Sequence, residues 1–143
     1  IKSDQAPPAI VIALIRLIAV LAPTAPLIQL DASGVSRDQD VVNAYMSDPL
    51  VHHGKLSARL LSEMSATMKS TLGRAGDIRI PIFLMHGDAD QLTAPSGSVE
   101  LHARVGSDDK TLKLYPGLFH EIFNEPEQDA VLAEMSDWLE AHL

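Results

Sequence analysis

The 143-residue sequence predicts an α/β fold in which a helical segment precedes two parallel strands and their helices. Residues 78–85 form a nearly continuous apolar run, which is typical of a parallel strand buried on both faces. Residues 110–115 predict a second strand, and a short amphipathic helix over about residues 98–105 separates the two. This order makes a right-handed βαβ unit, so we expect the C-terminal ends of both strands at one edge of the sheet.

An acidic turn and a histidine loop follow these two strand ends. The first strand runs into His86-Gly-Asp-Ala-Asp90, and a loop over residues 116–121 with His120 follows the second. We therefore expect Asp90 and His120 to lie close together. An acid that fixes an imidazole tautomer and an imidazole that acts as general base are two of the three parts of an activated-nucleophile system. On these residues alone, a solvated turn aspartate and a surface histidine stay open as the alternative.

The composition indicates one acidic domain without thiol chemistry. A chain of this length with 46% apolar residues can bury a core of ordinary size. Its net charge of -8 argues against nucleic acid as a partner. The absence of cysteine excludes disulfides and suits a reducing cytoplasm. The chain begins at Ile1 with no methionine and no signal-peptide layout, so we expect the C-terminal part of a longer protein.

Three helices are predicted in the first half of the chain. Residues 7–22 are apolar nearly all round but too short to span a bilayer, which needs roughly 20 apolar residues. We expect this helix inside a larger protein, or over an apolar pocket or a lipid surface. Ser36 or Asp38 can cap a second helix that ends before Pro49. The apolar face of a third helix, over residues 57–72, consists of Leu60, Leu61, Met64, Met68 and Leu72.

The chain is expected to divide at the glycine-containing residues 73–76. No strand is predicted before this stretch, so we separate a helical segment, residues 1–75, from a strand-bearing segment, residues 76–143. A last helix starting at residues 125–127 should dock on the sheet through its apolar face.

The adjacent histidines His52 and His53 do not predict a metal site. Neighbouring side chains point apart on most backbones, and no cysteine or acid lies at metal-ligand spacing. We therefore expect neither a metal nor a cofactor.

The motifs together resemble a known family. The segment His86-Gly-Asp-Ala-Asp90, followed by Tyr115-Pro-Gly-Leu-Phe-His120-Glu, is similar to the end of the α/β-hydrolase domain of serine hydrolases. More narrowly, it resembles the monoacylglycerol lipases of bacterial type. The resemblance implies a partial α/β-hydrolase fold, with a helical cap followed by the last two parallel strands. It extends over essentially the whole chain, because further segments resemble the cap of that family: residues 10–21, 36–38, 41–45 and 47–54.

The resemblance also implies a site. It assigns the triad acid to Asp90, with Asp88 as the competitor, and the general base to His120. In that family the cap lines a tunnel for the acyl chain. By resemblance, the tunnel wall would include Leu56 and Met64, and Leu92 would lie beside the acid. The implied substrate is a monoacylglycerol or another single-chain lipid ester.

The nucleophile of that family is missing from this sequence. Such lipases expose a serine in a Gly-x-Ser-x-Gly elbow, which does not occur here. Ser36 lies in a segment without the closing glycine, and Ser96 and Ser98 lie on the acid's own loop. We therefore expect the C-terminal part of a serine lipase, inactive until the part with the nucleophile is present.

Two alternatives stay open. The segment could be a non-catalytic helical module that binds lipid or a partner, and its exposed sheet edge would then favour a homodimer or aggregation. The second alternative is an enzyme with the same fold and another reaction: a thioesterase, a peptidase or an acyltransferase. The expected location is cytoplasmic, with contact to a membrane or lipid surface through the cap left open.

Overall fold

A computed structural model describes residues 8–143 and confirms the α/β class. Residue 7, where the first predicted helix was placed to begin, lies outside the described residues. Within residues 8–143 the helices and strands are α1 (Ala9–Leu21), β1 (Pro26–Ile28), α2 (Gln39–Ser47), β2 (Leu56–Ser57), α3 (Ala58–Arg74), β3 (Ile82–Gly87), α4 (Pro95–Arg104), β4 (Lys110–Tyr115) and α5 (Gln128–Glu140).

The parallel pair of strands forms as predicted. Strand β3 pairs with β4 from Ile82 opposite Lys110 to Gly87 opposite Tyr115. The bounds of β4 match the prediction, but the predicted start of β3 at residue 78 is wrong. The ladder begins at Ile82, whose N–H donates to the Asp109 carbonyl, because the preceding residue is a proline that has no N–H to contribute.

The prediction that β3 is buried on both faces is also wrong for the residues described. Its residues 82–86 are half-buried, because β4 is the strand that pairs with it within residues 8–143. On one side Trp138 of α5 stacks on Phe83 at 5.6 Å between ring centroids, so the last helix docks on the sheet as expected. An apolar groove of about 760 Å³ remains open beside β3 and α5. The buried core lies at the C-terminal end of the strands and consists of Tyr115, Leu118, Ile122 and Val131, with Met85 packed against it.

The first half of the chain is not free of strands, contrary to the prediction. Strands β1 and β2 form a separate antiparallel pair, in which Pro26 lies opposite Ser57 and Ile28 opposite Leu56. With three and two residues, they are too short for the alternation that identifies a strand in a sequence. Helix α1 packs on α3 and leaves apolar side chains exposed on its outer side. No helix within residues 8–143 has the length and apolarity to cross a membrane.

Local capping sets several helix ends. Asp38 caps α2 by accepting a 2.9 Å hydrogen bond from the N–H of Asp40, which decides between the two predicted caps. Helix α4 begins at Pro95, earlier than predicted, because proline suits a first helical turn. Helix α5 begins at Gln128, later than predicted, and the carboxylate of Glu125 lies buried instead of in the first helical turn.

Candidate active site

A tight turn after β3 places Asp90 beneath the next loop. The N–H of Asp90 donates to the carbonyl of Gly87 at 3.2 Å, and the N–H of Ala89 donates to the carbonyl of Leu118 at 3.1 Å. A Cβ atom at Gly87 would lie 2.3 Å from the carbonyl oxygens of Leu118 and Phe119. The close approach of the two loops therefore depends on this glycine.

A glycine turn after β4 presents the histidine. Leu118 N–H donates to the carbonyl of Tyr115 at 3.3 Å, and Gly117 within this turn has a φ of 77°. The N–H of Gly117 donates to Oδ1 of Asp88 at 2.6 Å. Asp88 is thus committed to the turn, and Asp90 is the acid that faces His120.

The imidazole of His120 lies against the carboxylate of Asp90. The distance from Nδ1 to Oδ2 is 2.8 Å, and the two side chains are 39% and 1% exposed. A carboxylate accepts hydrogen bonds, so Nδ1 carries the ring proton. Among residues 8–143, Nε2 of His120 has no hydrogen-bond partner. The ring can therefore accept a proton at Nε2 from a group that approaches the exposed side.

Within residues 8–143, five donors surround the carboxylate of Asp90. Its Oδ1 accepts the N–H of Leu92 at 2.7 Å and the N–H of Thr93 at 3.0 Å. Its Oδ2 accepts the hydroxyl of Thr93 at 2.7 Å and ring nitrogens of two histidines, His120 and His86. Burial raises the pKa of Asp90, but the hydrogen bonds, that from His120 first, outweigh it and lower the pKa to about 2. Asp90 is therefore ionised at neutral pH.

Hydrogen bonds and an ion pair connect the histidine loop to the segment that precedes α2. The N–H of Glu121 donates to the carbonyl of Val35 at 2.8 Å. The buried Glu125 carboxylate accepts the N–H of Phe119 at 2.9 Å and Nε of Arg37 at 2.8 Å. The first half of the chain thus holds the loop that carries the histidine.

Two serines that the sequence raised as candidates have structural partners. The buried hydroxyl of Ser36 donates to the carbonyl of Asn124 at 2.9 Å and accepts the N–H of Asp38 at 3.0 Å. The hydroxyl of Ser98 lies 2.7 Å from Nδ1 of His86. Neither hydroxyl is hydrogen-bonded to the imidazole of the histidine loop.

Two of the three predicted substrate-contacting residues share a cavity. Leu56 and Leu92 line a space of about 380 Å³ between the first half of the chain and the turn after Asp90. A Cβ atom at Gly34 would lie 3.1 Å from Cδ2 of Leu92, so this glycine leaves room for the leucine. Met64 does not line the cavity and is exposed on α3.

The paired histidines of the first half hold a loop together. Nε2 of His53 lies 3.1 Å from the carbonyl of Asp48, and its ring meets Tyr45 edge-on at 5.9 Å between centroids. Nε2 of His52 lies 3.5 Å from the carbonyl of Lys55. In the described part of the chain, no three histidine, aspartate or glutamate side chains are grouped so as to hold a metal ion.

Sequence reasoning missed the residues that support this site. His86, Thr93, Arg37 and Glu125 contact Asp90 or the histidine loop, yet none of them was a candidate. The position of His86 at the end of an apolar strand, four residues before the acid, was the one available signal. The pairing of Arg37 with Glu125 spans 88 residues and has no local signature.

Comparison with known proteins places this geometry in a family. The family model described as serine aminopeptidase, S33, matches residues 1–127. A monoacylglycerol lipase from Mycolicibacterium smegmatis is 45% identical over 134 residues, which are 94% of this chain and 48% of that protein. A monoglyceride lipase from Rattus norvegicus is 30% identical over 87% of this chain and 42% of its own length. The chain thus spans about half the length of the curated relatives it matches.

Solved structures agree with this assignment. The crystal structure of a monoacylglycerol lipase from Paleococcus ferrophilus superposes with a TM-score of 0.87 at 32% identity, covering all of this chain and 56% of that one. A monoglyceride lipase variant from Saccharomyces cerevisiae gives a TM-score of 0.75 at 26% identity, over 94% of this chain and 47% of the other. With its acid and histidine loops at one sheet edge, the chain belongs to the serine aminopeptidase S33 family and has part of the α/β-hydrolase fold.

Proposed function

We propose that this chain is the C-terminal portion of a serine carboxylic ester hydrolase that cleaves monoacylglycerols to fatty acid and glycerol. In this proposal Asp90 is the triad acid and His120 the general base. The observation that carries it is the 2.8 Å contact between Nδ1 of His120 and Oδ2 of Asp90, made by loops that leave neighbouring parallel strands. The names of the lipases similar to this chain support the substrate class.

The proposed reaction uses the free side of the imidazole. A serine hydroxyl attacks the ester carbonyl while Nε2 of His120 takes its proton, and Asp90 stabilises the imidazolium through Nδ1. The tetrahedral intermediate collapses, and His120 returns the proton to the departing glycerol oxygen. A water molecule then repeats the two steps on the acyl-enzyme and releases the fatty acid.

We propose that a segment preceding this chain supplies the serine. In α/β-hydrolases the nucleophile comes first in the chain, followed by the acid and then the histidine. The structural partners of Ser36 and Ser98 support this, and so does the length of the relatives. The open groove beside β3 is suited to receive further strands, and in the isolated chain the same apolar face would favour a homodimer or aggregation.

The two halves of the chain have distinct proposed roles. Residues 1–75 form a cap or lid, and residues 76–143 form the end of the hydrolase core. We assign the cavity lined by Leu56 and Leu92 to the acyl chain or the glycerol, and its volume supports this because it falls within the range of roughly 300–1,000 Å³ common for small-molecule sites. Met64 is exposed on α3 and lies outside the lining of this cavity.

The outer side of α1 suggests contact with a lipid surface. Ile10, Val20 and Leu21 are each more than two-thirds exposed, and apolar side chains at such positions suit the boundary of a lipid layer. A cap that rests on the lipid surface would bring the site to its substrate, so we propose a peripheral membrane contact through α1.

The proposal is tested by kinetics on the complete protein, meaning this chain together with the preceding segment. With a monoacylglycerol as substrate, His120→Ala and Asp90→Asn should each lower kcat by about 10⁴-fold. Asp88→Asn is the matched control for the acid and should cost less than about 10-fold, because the asparagine Oδ1 can still accept the N–H of Gly117. The acid assignment fails if Asp88→Asn abolishes activity and Asp90→Asn does not. A peptide amide or a thioester hydrolysed faster than the monoacylglycerol would overturn the substrate class.

A further inference from the structure

The carboxylate of Asp90 is held by a second imidazole that the proposed mechanism does not use. Nε2 of His86 lies 3.0 Å from Oδ2 of Asp90, the same oxygen that lies 2.8 Å from Nδ1 of His120. His86 comes from strand β3, and its side chain is 15% exposed. It is less open to a substrate than His120.

The surroundings of His86 fix its tautomer. Nε2 faces two acceptors, Oδ2 of Asp90 at 3.0 Å and the carbonyl of Thr93 at 3.3 Å, so Nε2 carries the proton. The hydroxyl of Thr93, 3.5 Å from Nε2, donates to Asp90. Nδ1 lies 2.7 Å from the hydroxyl of Ser98, which can donate to it. With Nε2–H donated to Asp90 and Nδ1 accepting from Ser98, both ring nitrogens of His86 have a hydrogen-bond partner.

The hydrogen-bond donors around the Asp90 carboxylate come from different parts of the fold, and His86 is the one that belongs to a strand. The N–H groups of Leu92 and Thr93 and the hydroxyl of Thr93 belong to the same turn as Asp90, so they move with it. Within residues 8–143, two side chains from outside that turn make hydrogen bonds with the carboxylate: those of His86 and His120. His86 is anchored in the ladder opposite Leu114 of β4, so it ties the acid to the sheet.

We propose that His86, held by Ser98, is a positioning residue that keeps Oδ2 of Asp90 directed at His120 during the reaction. This inference rests on the proposed function. Asp90 has to stay directed at Nδ1 of His120 while that ring takes and returns a proton. A carboxylate held from the sheet by His86 keeps its orientation, whereas one held only by its own turn can rotate away.

Kinetics of the complete protein test the catalytic effect. We expect His86→Leu, which removes the donor, to lower kcat for a monoacylglycerol by about 10- to 100-fold with KM within about twofold, the effect of losing one charge-assisted hydrogen bond. His86→Gln places an amide N–H near the position of Nε2 and should restore kcat to within about fivefold of the unsubstituted protein. His102→Leu is the control, because this histidine contacts the Lys110 carbonyl and not Asp90. Equal losses in His86→Leu and His102→Leu, or no rescue by glutamine, would overturn the proposal.

Imidazole ¹⁵N spectra of the same protein test the hydrogen bonds without turnover. We expect the Nε2–H form at His86 and the Nδ1–H form at His120, with the His120 Nδ1–H proton shifted in His86→Leu but not in His102→Leu. An Nδ1–H form at His86, or an unmoved His120 proton, would contradict the inference. If the unsubstituted protein hydrolyses no ester, the proposed function fails, and these spectra still decide whether His86 orients the acid.

Discussion

An ion pair between Glu125 and Arg37 joins the first half of the chain to the histidine loop. The carboxylate of Glu125 is 0% exposed, and its Oε2 lies 2.8 Å from Nε of Arg37. Its Oε1 also accepts the N–H of Phe119, the residue before His120. The placement of the proposed base therefore depends on a residue from the first half of the chain.

Removing the arginine should leave a buried charge without its partner. Arg37→Met keeps much of the side-chain volume, and we expect it to lower the free energy of unfolding by about 2–4 kcal/mol, because breaking a buried ion pair from one side strands the other charge. Arg59→Met is the matched control, since Arg59 pairs with Glu63 on the exposed surface of α3 and its loss should cost about 0.5 kcal/mol or less. Urea unfolding measures both. Equal effects would show that Glu125 does not need Arg37.

The glycine at the end of β3 should not tolerate a side chain. Gly87→Ala places a Cβ atom against two backbone carbonyls of the histidine loop, and we expect it to lower the free energy of unfolding by about 1–3 kcal/mol. Gly97→Ala on α4 meets no atom within 4 Å and should raise it by about 0.5–1 kcal/mol through helix propensity. Thermal unfolding of both variants provides the test. A neutral Gly87→Ala would refute the close packing of the two loops.

The lowered pKa of Asp90 should appear in the pH dependence of stability. The carboxyl has a pKa of about 2 in the folded protein and 3.8 otherwise, so its stabilising effect is present above about pH 4 and is lost as the pH falls to 2. Asparagine at this position cannot ionise. The difference in unfolding free energy between the unsubstituted protein and Asp90→Asn should therefore shrink by about 2 kcal/mol between pH 6 and pH 2. A difference independent of pH would mean that the hydrogen bonds to Asp90 do not favour its ionised form.

The exposed apolar side of α1 should contribute to lipid binding. Val20→Glu puts a charge into that surface, and we expect binding to neutral phosphatidylcholine vesicles to weaken about tenfold, since burying one such side chain contributes roughly 1.5–3 kcal/mol. Ser65→Glu adds the same charge to an exposed position of α3 and serves as control. Vesicle sedimentation measures both. Equal binding by the two variants would remove α1 from the lipid contact.

The strands illustrate what the sequence can and cannot predict. Strand β4 was predicted with its observed bounds because alternating residues and a proline-glycine turn define it. The start of β3 was misplaced because an apolar run continues through Pro81, which cannot join the ladder. Strands β1 and β2 were missed because they are too short to have a pattern.

The same distinction, between features with a local sequence pattern and features without one, applies to the site. The contact between Asp90 and His120 was predicted because parallel strand ends meet at one edge of a sheet, and the choice of Asp90 over Asp88 came from the family resemblance. The contacts of His86 and Glu125 with the site were not found, because they depend on which side chains the tertiary fold brings together. Those pairings become visible only once the loops are packed.

The location of the reactive serine decides whether the nucleophile lies outside this chain. A fluorophosphonate probe should label the complete protein on one serine outside residues 1–143, and His120→Ala should abolish the labelling, because the serine is reactive only with its base. The 143-residue chain alone should stay unlabelled. A label on a serine within this chain, lost in His120→Ala, would contradict the proposal, since it would place the nucleophile within residues 1–143 and not in the preceding segment.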